Sequence, residues 1–143
     1  MIKKFNKILV PLDGSKNSIR GLEMAISVAR QFGATITGAY SISVPPHSEF
    51  QGVNHIKKEL DNEIKKIMDK ARALSSQNDI EFKEKIMRGD IGYNIIKLAH
   101  DNKEKYDMIV IGSRGRGAVR EIFLGSVSNY VIHSSKIPVL VVK

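Results

Sequence analysis

Short apolar runs alternate along the chain with amphipathic stretches of helical period. The runs that predict β-strands cover 8–12, 35–41, 79–87, 107–111 and 138–142. The helical stretches carry Ile19, Leu22, Ile26 and Ala29, then Ile56, Leu60, Ile64, Ile67, Ala71 and Leu74, then Ile91, Ile95, Leu98 and Ala99, and last Val127, Tyr130 and Val131 within 126–134. Nearly all-apolar strands that alternate with helices predict an α/β fold, an open five-stranded parallel sheet with helices on both faces.

The length and composition favour one domain. A chain of 143 residues suffices for a single hydrophobic core, so we expect one domain over 1–143. The sequence has no cysteine, which excludes disulfides and thiolate metal sites. No apolar run approaches the roughly 18 residues of a membrane helix, and the first residues lack the pattern of a secretory signal. We therefore expect a cytoplasmic protein without a membrane partner.

The net charge of +8 fits a polyanionic partner, such as a nucleotide, a nucleic acid or an acidic membrane surface. Charge alone does not choose among them. The sequence does not interleave aromatic with basic residues as single-strand binders do, and it indicates no helix-turn-helix, so we do not expect nucleic acid as a partner. The four histidines are scattered, and no pair has metal-ligand spacing.

A glycine-rich loop follows the apolar run 107–111 and ends at a predicted helix start. It reads GSRGRGAVREIFLGS from Gly112 to Ser126. Glycines let the backbone approach an anion, and a helix start offers unpaired N–H groups at the positive end of the helix dipole. Countercharge would come from Arg114, Arg116 and Arg120. The loop therefore predicts a phosphate-binding site, although not a P-loop, because G-x-x-x-x-G-K-[ST] does not occur.

The spacing G-x-x-G, nine residues, then G-S resembles the nucleotide-binding signature of the universal stress protein family. The likeness extends to KILVPLDGS at 7–15 and to SSKIPVLVV at 134–142. It implies the strand order 3-2-1-4-5 of the adenine nucleotide alpha hydrolase-like fold. It also implies a bound ATP or AMP, with Mg²⁺ or Mn²⁺ accompanying a triphosphate. The chemistry of the residues and the resemblance together predict the following nucleotide contacts: Pro11, Asp13, Tyr40, Met87, Arg88, Gly89, Gly112, Arg114, Gly115, Arg116, Gly125, Ser126, Val127 and Ser128.

Asp13 leaves the first strand at the switch point where the glycine loop leaves the fourth, so the two motifs should face each other. The carboxylate could accept hydrogen bonds from ribose hydroxyls, lie beside a metal ion, or simply cap the turn with Gly14 and Ser15. Ser126 and Ser128 similarly fit either phosphate contact or ordinary helix capping. The glycine loop favours ligand contact for Asp13.

The base pocket is expected near the ends of the second and third strands. The backbone amide and carbonyl of Tyr40 could read adenine, and its ring could either stack on the base or pack under the loop. Met87, Arg88 and Gly89 end the third strand and could close the pocket over the adenine, although Met87 alone fits a core position better.

Two functions fit these residues. The first is a stress-response module that binds ATP or AMP, regulates an unidentified protein client and hydrolyses nucleotide slowly at most, because no catalytic set can be assembled. The alternative is a Mg-dependent phosphotransfer or nucleotide-hydrolysing enzyme, in which Asp13 would hold Mg²⁺. The apolar last strand, at a sheet edge by the resemblance, further predicts a homodimer through 138–142.

Overall fold

Strands and helices alternate from one end of the chain to the other. A computed structural model describes residues 2–43, 53–114 and 124–143, with the backbone alone of 53–56. In chain order the elements are β1 (Lys7–Pro11), α1 (Lys16–Phe32), β2 (Thr35–Ile42), α2 (Val53–Gln77), β3 (Phe82–Arg88), α3 (Ile91–Ala99), β4 (Met108–Gly112), α4 (Ser126–Ser134) and β5 (Val139–Val142). None of the helices within these ranges is long and apolar enough to span a bilayer.

The five strands form one parallel sheet in the order β3-β2-β1-β4-β5. This confirms the predicted fold class and strand order. The central strand β1 pairs with β2 on one side and with β4 on the other. The chain goes outward in one direction from β1 to β3 and in the other direction from β4 to β5. The switch point therefore lies between β1 and β4, where parallel α/β sheets bind their ligands.

The core has two layers because helices cover both faces of the sheet. Alternate strand residues point to opposite faces. Ile8 and Val10 lie in the layer under α1 and α2, whereas Leu9 lies in the layer under α3 and α4. All three side chains are fully buried. Burial on both faces explains why β1 and β4 read as continuous apolar runs rather than as alternating patterns.

The helices begin and end close to the predicted positions. Ser15 caps the start of α1 by accepting a hydrogen bond from the N–H of Ser18, and Gly33 ends the helix in the left-handed conformation at φ 66°. The predicted span of α4, 126–134, is confirmed. Tyr130 of α4 is 43% exposed, although the sequence pattern predicted it on the apolar face.

The third strand begins three residues later than predicted. Asp79 has φ 58°, and the N–H groups of Asp79 and Ile80 donate back to carbonyls at the end of α2. These residues form the turn that leaves the helix, so the buried Ile80 extends the apolar alternation before the strand itself begins at Phe82. Each end of the other four predicted strands lies within one residue of the observed end.

Candidate functional site

A cavity of about 550 Å³ opens at the carboxyl ends of β1, β2 and β4. The predicted contacts that line it are Pro11, Asp13, Tyr40, Gly112, Arg114, Gly125, Ser126, Val127 and Ser128. The sequence-based prediction missed the other described lining residues, which are Leu12, Ser18, Ala39, Ser41, Ile42, Ser43, Leu60, Ile91, Ile95 and Ile111. The cavity thus brings the Asp13 turn and the described ends of the glycine loop to one place.

Asp13 caps its own turn, which is one of the alternatives that the sequence left open. Asp13 Oδ1 accepts a hydrogen bond of 2.8 Å from the N–H of Ser15, and Gly14 takes φ 84° between them. The carboxyl group therefore caps the turn, as Asp commonly does. The same residue lines the cavity. The cap therefore fixes the direction of the carboxylate at the cavity wall.

The two described ends of the glycine loop are joined by hydrogen bonds to the carbonyl oxygen of Ser113. The N–H of Gly125 donates to the carbonyl oxygen of Ser113 over 2.7 Å. The hydroxyl of Ser128 donates to that carbonyl over 2.7 Å and lies 3.0 Å from the carbonyl oxygen of Gly125. Ser128 is 2% exposed. Its hydroxyl therefore holds the two ends of the loop together, which is a structural role in addition to the predicted contact with the nucleotide.

The start of α4 differs from the starts of α1 and α3. Ser15 and Asp90 cap the latter two helices with their side chains. The N-cap of α4 is Gly125, and no side chain within the described residues caps this helix. The exposed Ser126 is therefore the first helical residue rather than the cap. The first N–H groups of α4 carry the positive end of the dipole at the cavity wall and suit an anion.

Gly112 serves the packing of α1 against β4. A Cβ atom there would lie 2.6 Å from the carbonyl oxygen of Asn17, which no side-chain rotation can relieve. Gly21 of α1 faces the same strand, since its own Cβ would lie 3.2 Å from the amide nitrogen of Gly112. The close approach brings the start of α1, and with it the Asp13 turn, against the end of β4.

The backbone groups of β2 that face the cavity belong to Ser41 rather than to Tyr40. In a parallel strand, alternate residues direct both their N–H and their C=O to opposite neighbours. The carbonyl of Ala39 accepts from Leu12 on the β1 side, whereas that of Ile42 accepts from Gly89 on the β3 side. By this alternation Ser41 faces the β1 side, and the β1–β2 register stops at Ala39. Tyr40 faces β3 with its backbone, although it also lines the cavity.

The remaining predicted contacts fall into two groups. Met87 packs against the core layer under α3 and α4, while Arg88 and Gly89 accept side-chain hydrogen bonds through their carbonyl oxygens. None of these three is among the described residues that line the cavity. Gly115 and Arg116 lie outside the described residues, as does Arg120, which was predicted only as countercharge, so their roles remain predictions.

A cluster of ionisable groups with shifted pKa values lies at the opposite, amino-terminal edge of the sheet. The ammonium of Lys7 donates to Glu104 over 2.8 Å and lowers the pKa of that carboxyl group. Burial raises the pKa of the neighbouring Tyr106 hydroxyl. These groups connect β1 with the segment before β4, far from the cavity. The described residues contain no group of three or more His, Asp or Glu that could hold a metal ion.

Comparisons with known proteins agree in family. A model of the "Universal stress protein family" matches residues 4–143. Universal stress protein YxiE of Bacillus subtilis is 31% identical over 149 aligned residues, which cover 97% of this chain and 99% of that protein. Universal stress protein MJ0531 of Methanocaldococcus jannaschii is 30% identical, covering 97% of this chain and 82% of that protein.

Solved structures share the fold over its full length. MJ0577 of Methanocaldococcus jannaschii superposes with a TM-score of 0.88 at 29% identity, covering 99% of this chain and 97% of that one. A universal stress protein in complex with cAMP has a TM-score of 0.76 at 24% identity, with 99% of both chains covered. The universal stress protein from Archaeoglobus fulgidus in complex with dAMP has a TM-score of 0.69 at 23% identity, covering 99% of this chain and 100% of that one.

Proposed function

The chain belongs to the universal stress protein family, and on that premise we propose that it binds an adenine nucleotide, ATP or AMP, in the cavity at the switch point. One observation carries the proposal. The start of α4, which no described side chain caps, lies in the same cavity as the Asp13 carboxylate. A nucleotide requires N–H donors for its phosphates and an acceptor for its ribose hydroxyls, and these two groups follow adjacent strands here.

The proposed pose follows from the chemistry of each wall. The phosphates lie at the N–H groups of Ser126 and Val127, with countercharge from Arg114. The ribose hydroxyls donate to Asp13, and the base meets the backbone of Ser41. Family members in complex with cAMP and dAMP support an adenine nucleotide as the ligand class.

Thermal denaturation with matched ligands tests this proposal. A ligand that binds the folded state alone stabilises it by about 2.7 kcal/mol at a hundredfold excess over its Kd. ATP and AMP should therefore raise the Tm, and adenosine should raise it less because it lacks phosphate. GTP at the same concentration controls for general anion effects. No shift with any adenine nucleotide would contradict the proposal.

We propose that any divalent cation enters with the triphosphate. Mg²⁺ usually keeps several waters and binds through one or two carboxylates together with phosphate oxygens. Asp13 is the described carboxylate that lines the cavity, so it is the protein group suited to such a complex. AMP, which has a single phosphate, should bind independently of Mg²⁺.

We propose a regulatory role in the cytoplasm, in which nucleotide occupancy controls contact with a protein client and hydrolysis is slow. The proposal is supported by the cavity residues, because the helix N–H groups, the Asp13 carboxylate and the Ser41 backbone are groups that bind a nucleotide. The enzyme alternative predicts sustained multiple turnovers in saturating Mg·ATP. The regulatory proposal predicts less than one turnover per chain over the time of ordinary enzyme assays, measured as released phosphate.

We further propose that the chain forms a homodimer through β5. The two edges of the sheet differ in their protection. At β3, Arg72 donates to the outward carbonyl of Phe82 over 3.1 Å and pairs with Glu84 at 3.4 Å. Charged side chains of this kind block strand addition. By contrast β5 reads Val-Leu-Val-Val and carries no charged side chain. An open apolar edge can pair antiparallel with its two-fold mate.

The dimer can be tested by removing one outward N–H group. The carbonyl oxygens of Pro138 and Val142 accept from the N–H groups of Ile109 in β4 and of Ser113 just after it, so by alternation Val141 directs its N–H outward. Val141→Pro should spare the β4 ladder and give a folded monomer in sedimentation equilibrium. Ile86→Pro removes an outward N–H at the β3 edge and should leave the dimer intact. A parent protein that is monomeric at tens of micromolar would refute the proposal.

A further inference from the structure

Asn94 links α3 to the ends of β2 and β3 beside the cavity. Its Nδ2 lies 3.0 Å from Ser41 Oγ and 2.8 Å from the carbonyl oxygen of Arg88. Ser41 Oγ lies in turn 3.3 Å from the carbonyl oxygen of Gly89. The N–H of Gly89 donates back to Ile42 over 2.9 Å. One amide side chain therefore holds the last residues of two neighbouring strands.

The protons of this network follow from the chemistry of its acceptors. A carbonyl oxygen can only accept, so the atom of Asn94 that faces Arg88 must be its NH₂ nitrogen. The Ser41 hydroxyl must likewise donate to the carbonyl of Gly89. It is then left to accept the second N–H of Asn94. Flipping the amide would place two acceptors face to face at Arg88.

This assignment determines how Ser41 can contact a ligand. Its hydroxyl proton is already donated to Gly89, so the side chain has no proton to offer to a base. The N–H and C=O of Ser41 face the β1 side of the strand, where β1 has ended and the cavity opens. One donor and one acceptor on a strand edge suit adenine, whose N1 accepts and whose N6 amino group donates.

We propose that Asn94 is a positioning residue for base recognition, an inference that rests on the nucleotide binding proposed above. It touches Ser41 and not the ligand, and it fixes the Ser41 backbone in the direction that the base requires. Without it, Ser41 and the Gly89 turn lose their anchor on α3. The binding free energy of the base then includes the cost of ordering that strand end.

The test compares ATP with inorganic tripolyphosphate, which lacks the base, by titration calorimetry. Asn94→Ala should weaken ATP about three- to tenfold, the effect of roughly one net hydrogen bond. Tripolyphosphate should bind as it does to the parent. Ser41→Ala removes the hydroxyl in the middle of the network and should give the same pattern. Asn102→Ala, an exposed asparagine at the opposite edge of the sheet, is the matched control and should bind both ligands normally.

The double variant separates positioning from general damage. If Asn94 acts through Ser41, the double variant Ser41→Ala/Asn94→Ala should bind ATP no more weakly than Ser41→Ala alone. Additive losses would overturn the inference, as would equal losses of ATP and tripolyphosphate or unchanged ATP binding in Asn94→Ala. If Asn94→Ala does not fold, Ser41→Ala with normal ATP binding overturns it equally.

The outcome for the parent protein distinguishes the two proposals. If the parent binds ATP and the variants do not differ from it, the positioning role fails and the proposed function stands. If the parent binds no adenine nucleotide, both the proposed function and the positioning role fail.

Discussion

Ser126 begins α4 with an exposed side chain at the cavity wall. Its hydroxyl and the helix start should act on phosphate, so Ser126→Ala should weaken ATP by about 0.5–1.5 kcal/mol, one hydrogen bond, and adenosine by less. Titration calorimetry with both ligands measures the difference. Ser134→Ala, at the far end of the same helix, should change neither affinity. Equal losses for ATP and adenosine would leave Ser126 without a role at phosphate.

Asp107 clamps the N-terminal segment to β4. Its Oδ2 accepts from the N–H groups of Asn6 and Lys7 at 2.8 and 3.0 Å, and Lys3 Nζ lies 3.0 Å from Oδ1. Burial alone raises the pKa of Asp107, but the Asn6 N–H, the Lys3 ammonium and the Lys7 N–H hold the pKa below its usual value. The clamp therefore stabilises the fold above the ordinary carboxyl pKa, and this stability is lost as the pH falls through the folded pKa.

Asp107→Asn should accordingly lower the free energy of unfolding by about 1–3 kcal/mol at neutral pH. The difference from the parent should shrink below about pH 4, where the unfolded carboxyl group is protonated. Urea denaturation at several pH values measures this dependence, with Asp69→Asn at an exposed position of α2 as the control. ATP affinity at neutral pH should not change, because the clamp lies at the opposite edge from the cavity. A difference that stays constant down to pH 3 would contradict the assignment.

At the residue scale, the sequence predicted the parts of the site whose chemistry is local. Asp13 and Gly125–Ser126 follow from a strand-end carboxylate and from a glycine before a helix, and the structure brings them into one cavity. Ser41 and Asn94 could not be found in this way, since 53 positions separate them and no motif contains them. The alternation of backbone direction along a parallel strand would have favoured Ser41 over Tyr40, given only the strand register.

At the scale of elements, Gly112 joins β4 to α1. Gly112→Ala would force its Cβ into the backbone of Asn17 at 2.6 Å, so it should destabilise the fold by about 1–3 kcal/mol, as overpacked sites do. It should also move the Asp13 turn and weaken ATP. Gly33→Ala is the comparison, because its Cβ meets open space and only the left-handed φ of 66° opposes it. It should lower the Tm without affecting ATP binding. Gly112→Ala with parental Tm would show that α1 can move away from β4.

The elements also show where sequence patterns fail. The apolar period of α2 was predictable because this helix shows one periodic face to the core, and the start of α4 was predictable because Gly125 and Ser126 mark it. The start of β3 was not, because the buried Ile80 continues the alternation through a turn that precedes the strand. The left-handed φ of Asp79 decides the boundary, and an apolar pattern carries no information about that angle.

In the whole molecule, the two ends of the strands carry different features. The cavity, the helix start of α4 and the Asp13 turn lie at the carboxyl ends. The Asp107 clamp and the Lys7–Glu104 pair lie at the amino ends, where they connect β1 with the segment before β4. Fold class and strand order follow from the alternation of elements and from the family resemblance. The geometry of the cavity depends on contacts between distant segments, which the sequence does not display.

We propose that this cavity holds one adenine nucleotide. Titration calorimetry of nucleotide-free parent protein with ATP, and with GTP under the same conditions, tests this proposal. We predict saturable binding of one ATP per chain and markedly weaker binding of GTP, whose base presents a different edge to the Ser41 backbone. Absence of saturable ATP binding at millimolar concentration, or equal affinity for ATP and GTP, would contradict the account.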